Sequence, residues 1–225
     1  MPTEIKICGL SDPEGVDAAL EAGADYLGFV FFAASPRNLS PHRAAELAGR
    51  VRGRAGIVAL TVDADDATLD AIVAALRPDL LQFHGRESPE RVAFAQERLG
   101  RPVMKAIGLR GRDDLLQIAH YDIDRVLFDA KPSPDATRPG GHGSVFDWSI
   151  LQYFEPPIPW FLSGGLDADN VGSAILVTGA PGVDVSSGVE SAPGKKDPAL
   201  IQAFVAAVRA VEQPWRAAAG AQTKV

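Results

Sequence analysis

Residues 4–9 read Glu4-Ile5-Lys6-Ile7-Cys8-Gly9, an alternating run closed by a glycine. On a β-strand Ile5 and Ile7 share one face, and Lys6 and Cys8 share the other. The isoleucines belong against a layer of helices. The lysine and the thiol then point to the opposite side, toward an interior that must hold a charge. A parallel barrel supplies both environments, with helices outside and the C-terminal strand ends gathered at one mouth. Cys8, followed at once by Gly9, is expected at that mouth.

Seven more apolar runs follow, at 25–31, 57–62, 79–84, 102–107, 125–130, 159–163 and 183–187. They are rich in β-branched or aromatic residues and bounded by Gly, Pro or Asp, as strands are. Helical signals lie between them. Asp12-Pro13, Ser40-Pro41 and Ser88-Pro89 each set a capping side chain before a proline at the first helical position. Leu69, Ile72, Val73 and Leu76 repeat at helical spacing, as do Leu200, Phe204, Ala207, Val208 and Val211. Asp167 is expected to start a helix running to about Gly179. Segment 113–119 reads as a shorter helix, and 147–154 as a short one at best. Eight such units in a row close a (β/α)8 barrel, the expected α/β fold, over residues 1–212. Residues 213–225 are expected to fray as a tail with Trp215 docked. An open doubly wound sheet has fewer strands, and no GxGxxG or Walker A pattern is present.

The chain has 225 residues, 46% hydrophobic and 23% charged, with a formal net charge of -7. It carries no block of Lys and Arg, so general nucleic-acid binding is not expected. One cysteine excludes an intrachain disulfide and a CxxC metal site. The histidines, His42, His84, His120 and His142, show no HExxH spacing. The N-terminus lacks a secretory h-region and no run reaches membrane-span length, so a cytoplasmic protein without membrane partners is expected.

Asp129 ends the apolar run Val126-Leu127-Phe128. A carboxyl group at the end of an apolar strand is desolvated and favours its protonated form, as a general acid near neutral pH requires. No helix follows closely; residues 131–144, Lys131 to Ser144, form a Pro- and Gly-rich stretch too long for an ordinary βα turn. A buried cysteine is commonly structural, but Cys8 at the mouth offers a base once ionised, and Lys6 is the nearest cation in sequence to favour the thiolate. Ser163-Gly164-Gly165 and Ser186-Ser187-Gly188 follow the last two strands, where barrels hold phosphate on backbone N–H groups. Arg37, in Ser35-Pro36-Arg37, is either solvated surface or a bidentate clamp for a carboxylate. Lys6 and Lys105 point inward and need partners, for which Glu4 and Asp184 are candidates. His84 either lines the mouth or is a structural histidine.

The segments KICG, SPRNLS, LQFHG, LFDAK, GGHGSVFDW, LSGGLDADNV and VDVSSGVESAPGKKD, in this order, resemble the phosphoribosylanthranilate isomerase family of tryptophan biosynthesis. The resemblance runs from Ile5 to about Val211. It implies a cofactor- and metal-free (β/α)8 barrel, monomeric or homodimeric, acting on a small phosphorylated substrate by an Amadori rearrangement. It assigns Cys8 as general base and Asp129 as general acid. Arg37 holds the anthranilate carboxylate, and Gly164, Gly165, Ser186, Ser187 and Gly188 the phosphate. His84 and Asp184 complete the expected substrate-binding set. The chain departs from the family at Gly140-Gly141-His142-Gly143-Ser144, where His142 and Ser144 replace the usual threonine and lysine; Asp167 is expected to keep its capping role. Rival readings are an epimerase, which needs metal ligands not evident here; indoleglycerol-phosphate synthase, which needs a catalytic lysine; and a non-catalytic barrel, which has no use for both Cys8 and Asp129.

Overall fold

The computed structural model describes residues 2–130 and 146–221, with side chains described as far as Glu212. The long segment after Asp129, with Lys131 and Gly140 to Ser144, and the Trp215 side chain lie outside the described residues.

Eight parallel strands close a barrel in sequence order. They are β1 (Glu4–Cys8), β2 (Tyr26–Phe31), β3 (Gly56–Thr61), β4 (Leu80–Phe83), β5 (Val103–Leu109), β6 (Arg125–Ala130), β7 (Trp160–Leu162) and β8 (Gly182–Val185). Closure comes from β1 pairing with β8, with Lys6 opposite Asp184.

Helices α1 (Pro13–Ala22), α2 (Pro41–Ala48), α3 (Asp66–Leu76) and α4 (Pro89–Leu99) cover the first half. Their starts follow the expected chemistry. The side chain of Asp12 accepts from Gly15 N at 2.8 Å, Ser40 from Arg43 N at 3.2 Å, and Ser88 from Arg91 N at 3.2 Å, satisfying N–H groups that a helix leaves orphaned. Among the described residues the second half is covered by 3-10 segments Arg112–His120 and Trp148–Leu151, then α5 (Val171–Thr178) and α6 (Pro198–Ala221).

Two expectations change here. Asp167 does not cap α5. Its carboxylate accepts from Asp169 N and Asn170 N at 3.0 Å, closing a turn, and the helix begins at Val171. An Asp side chain can satisfy a turn as readily as a helix start. The last helix does not end near Val211; its backbone stays helical to Ala221.

The inward and outward faces separate as the β1 alternation requires. Ile5 and Ile7 join the large cluster between sheet and helices. Val58, Leu80, Met104, Leu127 and Phe161 fill the barrel interior. Below them Arg125 closes the base, paired with Glu4 and lying over Tyr26 and Phe161. Glu4 is therefore the partner of Arg125 rather than of an interior lysine. Above them Cys8 packs with Val30 and Leu60.

Candidate active site

The lysines beneath the mouth are fully paired. Lys6 Nζ lies 2.7 Å from Asp184 Oδ1, and Ser163 Oγ donates to Asp184 Oδ2 at 3.3 Å. Both oxygens of Asp184 are thus engaged inside the barrel. Lys105 pairs with Glu87 at 3.0 Å and donates to the Gly85 carbonyl at 2.9 Å, so its partner is neither Glu4 nor Asp184. Glu87 stands in the loop after β4, where its sequence position gives no sign of this pairing.

Cys8 ends β1 with 3% of its surface exposed. Its neighbour across the sheet is Gly28. A Cβ on Gly28 would fall 2.9 Å from Cys8 Sγ and 3.3 Å from Lys6 Nζ, so the absence of a side chain there makes room for the thiol and the ammonium together. Burial pushes the Cys8 thiol above its ordinary pKa; Lys6 and Lys196 pull it down and Asp184 pushes it up, with a net rise. Lys6 stays protonated: burial lowers its pKa, but Asp184 and Cys8 raise it further. The resting thiol is neutral, with cations on hand for the thiolate.

Asp129 is 6% exposed near the end of β6. One oxygen accepts from Ala130 N at 2.8 Å; the other lies 3.2 Å from His84 Nε2, and His84 Nδ1 lies 3.1 Å from Gln82 Nε2. His84 thus stands against the carboxyl group. Gln82, missed from sequence, occupies the same inward face of its strand two residues earlier.

Arg37 is not surface. It is 4% exposed and bidentate to Glu190, with Nε–Oε1 at 2.6 Å and Nη2–Oε2 at 2.7 Å. Gly9 allows this approach: its φ is +77°, and a Cβ there would meet Arg37 Cδ at 2.3 Å. Glu190 also accepts from Lys196 Nζ at 2.7 Å. These two residues sit on a hairpin of β9 (Glu190–Ala192) and β10 (Lys195–Lys196). Burial raises Glu190 but is outweighed by Arg37 and Lys196, which hold it below the usual carboxylate value. Burial takes Lys196 the other way, down to about 8, against the pull of Glu190.

The two glycine loops meet. Gly164 and Gly165 have φ of +92° and +65°, and Gly164 lies against Asp129 and Ala130. A Cβ on Gly188 would sit 1.9 Å from the Leu166 carbonyl oxygen, so the loops after β7 and β8 touch through a glycine. Ser186 uses its hydroxyl internally, donating to the Cys8 carbonyl at 3.0 Å and receiving Lys196 Nζ at 3.3 Å. Ser187 opens the 3-10 turn Ser187–Val189.

A closed parallel barrel whose strand ends carry a buried thiol and a buried carboxyl, beside two touching glycine loops, defines a (β/α)8 enzyme of acid–base type. The family model for N-(5'-phosphoribosyl)anthranilate (PRA) isomerase matches residues 5–207. The N-(5'-phosphoribosyl)anthranilate isomerase of Rhodopseudomonas palustris (strain BisA53) is 57% identical over 215 residues, 95% of this chain and 99% of that protein. Among solved structures, monomers generated from the dimeric phosphoribosylanthranilate isomerase of Thermotoga maritima superpose with TM-score 0.80 at 32% identity, over 92% of this chain and 99% of that one. A phosphoribosylanthranilate isomerase in complex with reduced 1-(o-carboxyphenylamino)-1-deoxyribulose 5-phosphate gives TM-score 0.79 at 31% identity, over the same shares, 92% and 99%. The chain belongs to the N-(5'-phosphoribosyl)anthranilate isomerase family.

Proposed function

We propose that this chain performs the family reaction with Asp129 as general acid and Cys8 as general base. The reaction is the Amadori rearrangement of N-(5'-phosphoribosyl)anthranilate to 1-(2-carboxyphenylamino)-1-deoxyribulose 5-phosphate, a step of tryptophan biosynthesis. Asp129 gives its proton to the furanose ring oxygen. The C1′–O bond breaks and the nitrogen lone pair forms an iminium. Cys8, as thiolate, removes the C2′ proton, and the electron pair left behind neutralises the iminium to an enolamine. Loss of the C2′ hydroxyl proton and gain of one at C1′ gives the ketone.

The observation that carries this reading is the pairing of strand ends: β1 delivers Cys8 and β6 delivers Asp129 to the same end of the barrel, well apart around its rim. A sugar ring between them meets acid and base from different sides. Arg37 binds the anthranilate carboxylate with the end-on edge of its guanidinium, the edge not used by Glu190. Backbone N–H groups of Gly164, Gly165, Ser187 and Gly188 bind the phosphate, with Ser186 contributing backbone rather than hydroxyl. His84 serves through Asp129, and Asp184 serves indirectly by holding Lys6. The protein works in the cytoplasm as a monomer or homodimer. The dimeric Thermotoga maritima relative supports the second state, and no described helix is long and apolar enough to cross a membrane.

The test is anthranilate fluorescence with phosphoribosylanthranilate generated in situ. The wild type should extinguish the signal catalytically, and Asp129→Asn should lower kcat by roughly 10²–10⁴-fold. Binding without turnover by the wild type overturns the reading.

A further inference from the structure

Gln82 is fully buried, with 0% exposure, and its Oε1 has no hydrogen-bond partner among the described residues. Its Nε2 reaches His84 Nδ1 at 3.1 Å, and His84 Nε2 reaches Asp129 Oδ2 at 3.2 Å. The two ends of a side-chain amide are nearly equal in size but opposite in hydrogen-bonding sense. With Nε2 toward the ring, Gln82 donates to Nδ1, the ring proton sits on Nε2, and His84 donates to an ionised Asp129. With the amide turned by 180°, Oε1 accepts from an Nδ1–H, and His84 Nε2 accepts the proton of a protonated Asp129. Among the described residues the amide has His84 as its only partner, at one end, and a buried amide end without a partner costs something. Neither setting is favoured by complete satisfaction, and each matches one protonation state of the acid.

We infer that Gln82 is a positioning residue for the reaction: by turning its amide it sets the tautomer of His84 to match Asp129 before and after the acid gives up its proton. The inference rests on Asp129 being the acid. It explains why a glutamine sits on the inward face of β4 at 0% exposure, where an apolar side chain would fill the space without an orphaned oxygen. It also gives His84 its function, which is to hold Oδ2 while Oδ1 is fixed by Ala130 N–H.

The experiment combines ¹⁵N NMR of His84 with kcat/KM against pH for the wild type, Gln82→Met and Gln82→Glu. In the wild type, His84 should be the Nδ1–H tautomer wherever Asp129 holds its proton and the Nε2–H tautomer wherever Asp129 is ionised. In Gln82→Met, which keeps the volume but neither donor nor acceptor, that change should lose its coupling to the activity profile. Its kcat should fall roughly 10- to 100-fold, with KM and affinity for a product analogue little changed. In Gln82→Glu, which only accepts, Nδ1 should stay protonated throughout, and the pH profile should differ from that of the wild type. Identical His84 spectra and identical pH profiles in wild type and Gln82→Met overturn the inference. Should Gln82→Glu fail to fold, Gln82→Met decides alone. Failure of the underlying reading shows separately, as retained turnover in Asp129→Asn.

Discussion

Among single residues, Arg37 is a buried charge whose proposed task is to receive a carboxylate. Its side chain is fixed by Glu190 through Nε and Nη2, so little rotamer entropy remains to be lost when a carboxylate meets the other edge of the planar fork. Charged hydrogen bonds of this kind contribute about 1.5–3 kcal/mol. Arg37→Ala should therefore weaken the carboxylated product analogue by roughly 10- to 150-fold, and an analogue lacking the carboxylate much less. Affinities for the two analogues check this; equal losses for both would show that Arg37 does not read the carboxylate. The position of Cys8 is legible in sequence because alternation over five residues fixes its face. The Arg37–Glu190 pair is not, because its partners are 153 residues apart and nothing local marks Glu190. Gly28 is equally silent, since its role is the space it leaves for Cys8 and Lys6.

At the scale of the element, the β9–β10 hairpin is a clamp that locks Arg37 from behind, and its Lys196 is held at the expense of stability. Burial lowers Lys196 to about 8, below the unfolded value of about 10.4. Below pH 8 both folded and unfolded states hold the proton and stability is flat in this group. Between about 8 and the unfolded value the unfolded chain binds more protons, so stability rises with pH. Cys8 acts in the opposite sense, since its folded pKa is raised. Comparison with Lys196→Met isolates Lys196; because Lys196 also pulls the Cys8 thiol down, its loss lets that thiol rise further, which adds to the variant's deficit at high pH. Urea unfolding at pH 7 and 9.5 should show the wild type gaining roughly 2 kcal/mol on the variant over that interval. A difference that does not change with pH contradicts the buried, charged Lys196. The elements themselves are largely readable: strand limits agree to within a residue or two, and three helix starts follow their capping side chains. Asp167 misleads because Asx turns and helix caps use the same carboxylate-to-N–H bond. The helical backbone to Ala221 is hidden because the apolar helical spacing ends at Val211.

At the scale of the whole molecule, closure of the barrel is the decisive event. Lys6 finds Asp184 only because β1 meets β8, and Cys8 and Asp129, 121 positions apart in the chain, share a mouth only because eight parallel strands end on one side. The repeating strand and helix pattern makes that architecture legible; which interior charges pair is not, because any inward lysine is compatible with any inward acid until the register is set. In the proposed reaction Cys8 removes the C2′ proton. Single-turnover kinetics with C2′-deuterated phosphoribosylanthranilate test it most directly, in the wild type and in Cys8→Ala. The wild type should show a primary isotope effect on fluorescence loss. Cys8→Ala should bind the reduced product analogue with unchanged affinity while its single-turnover rate falls by roughly 10²–10⁴-fold. A Cys8→Ala rate within a few-fold of the wild type, with the isotope effect intact, would mean that another group is the base.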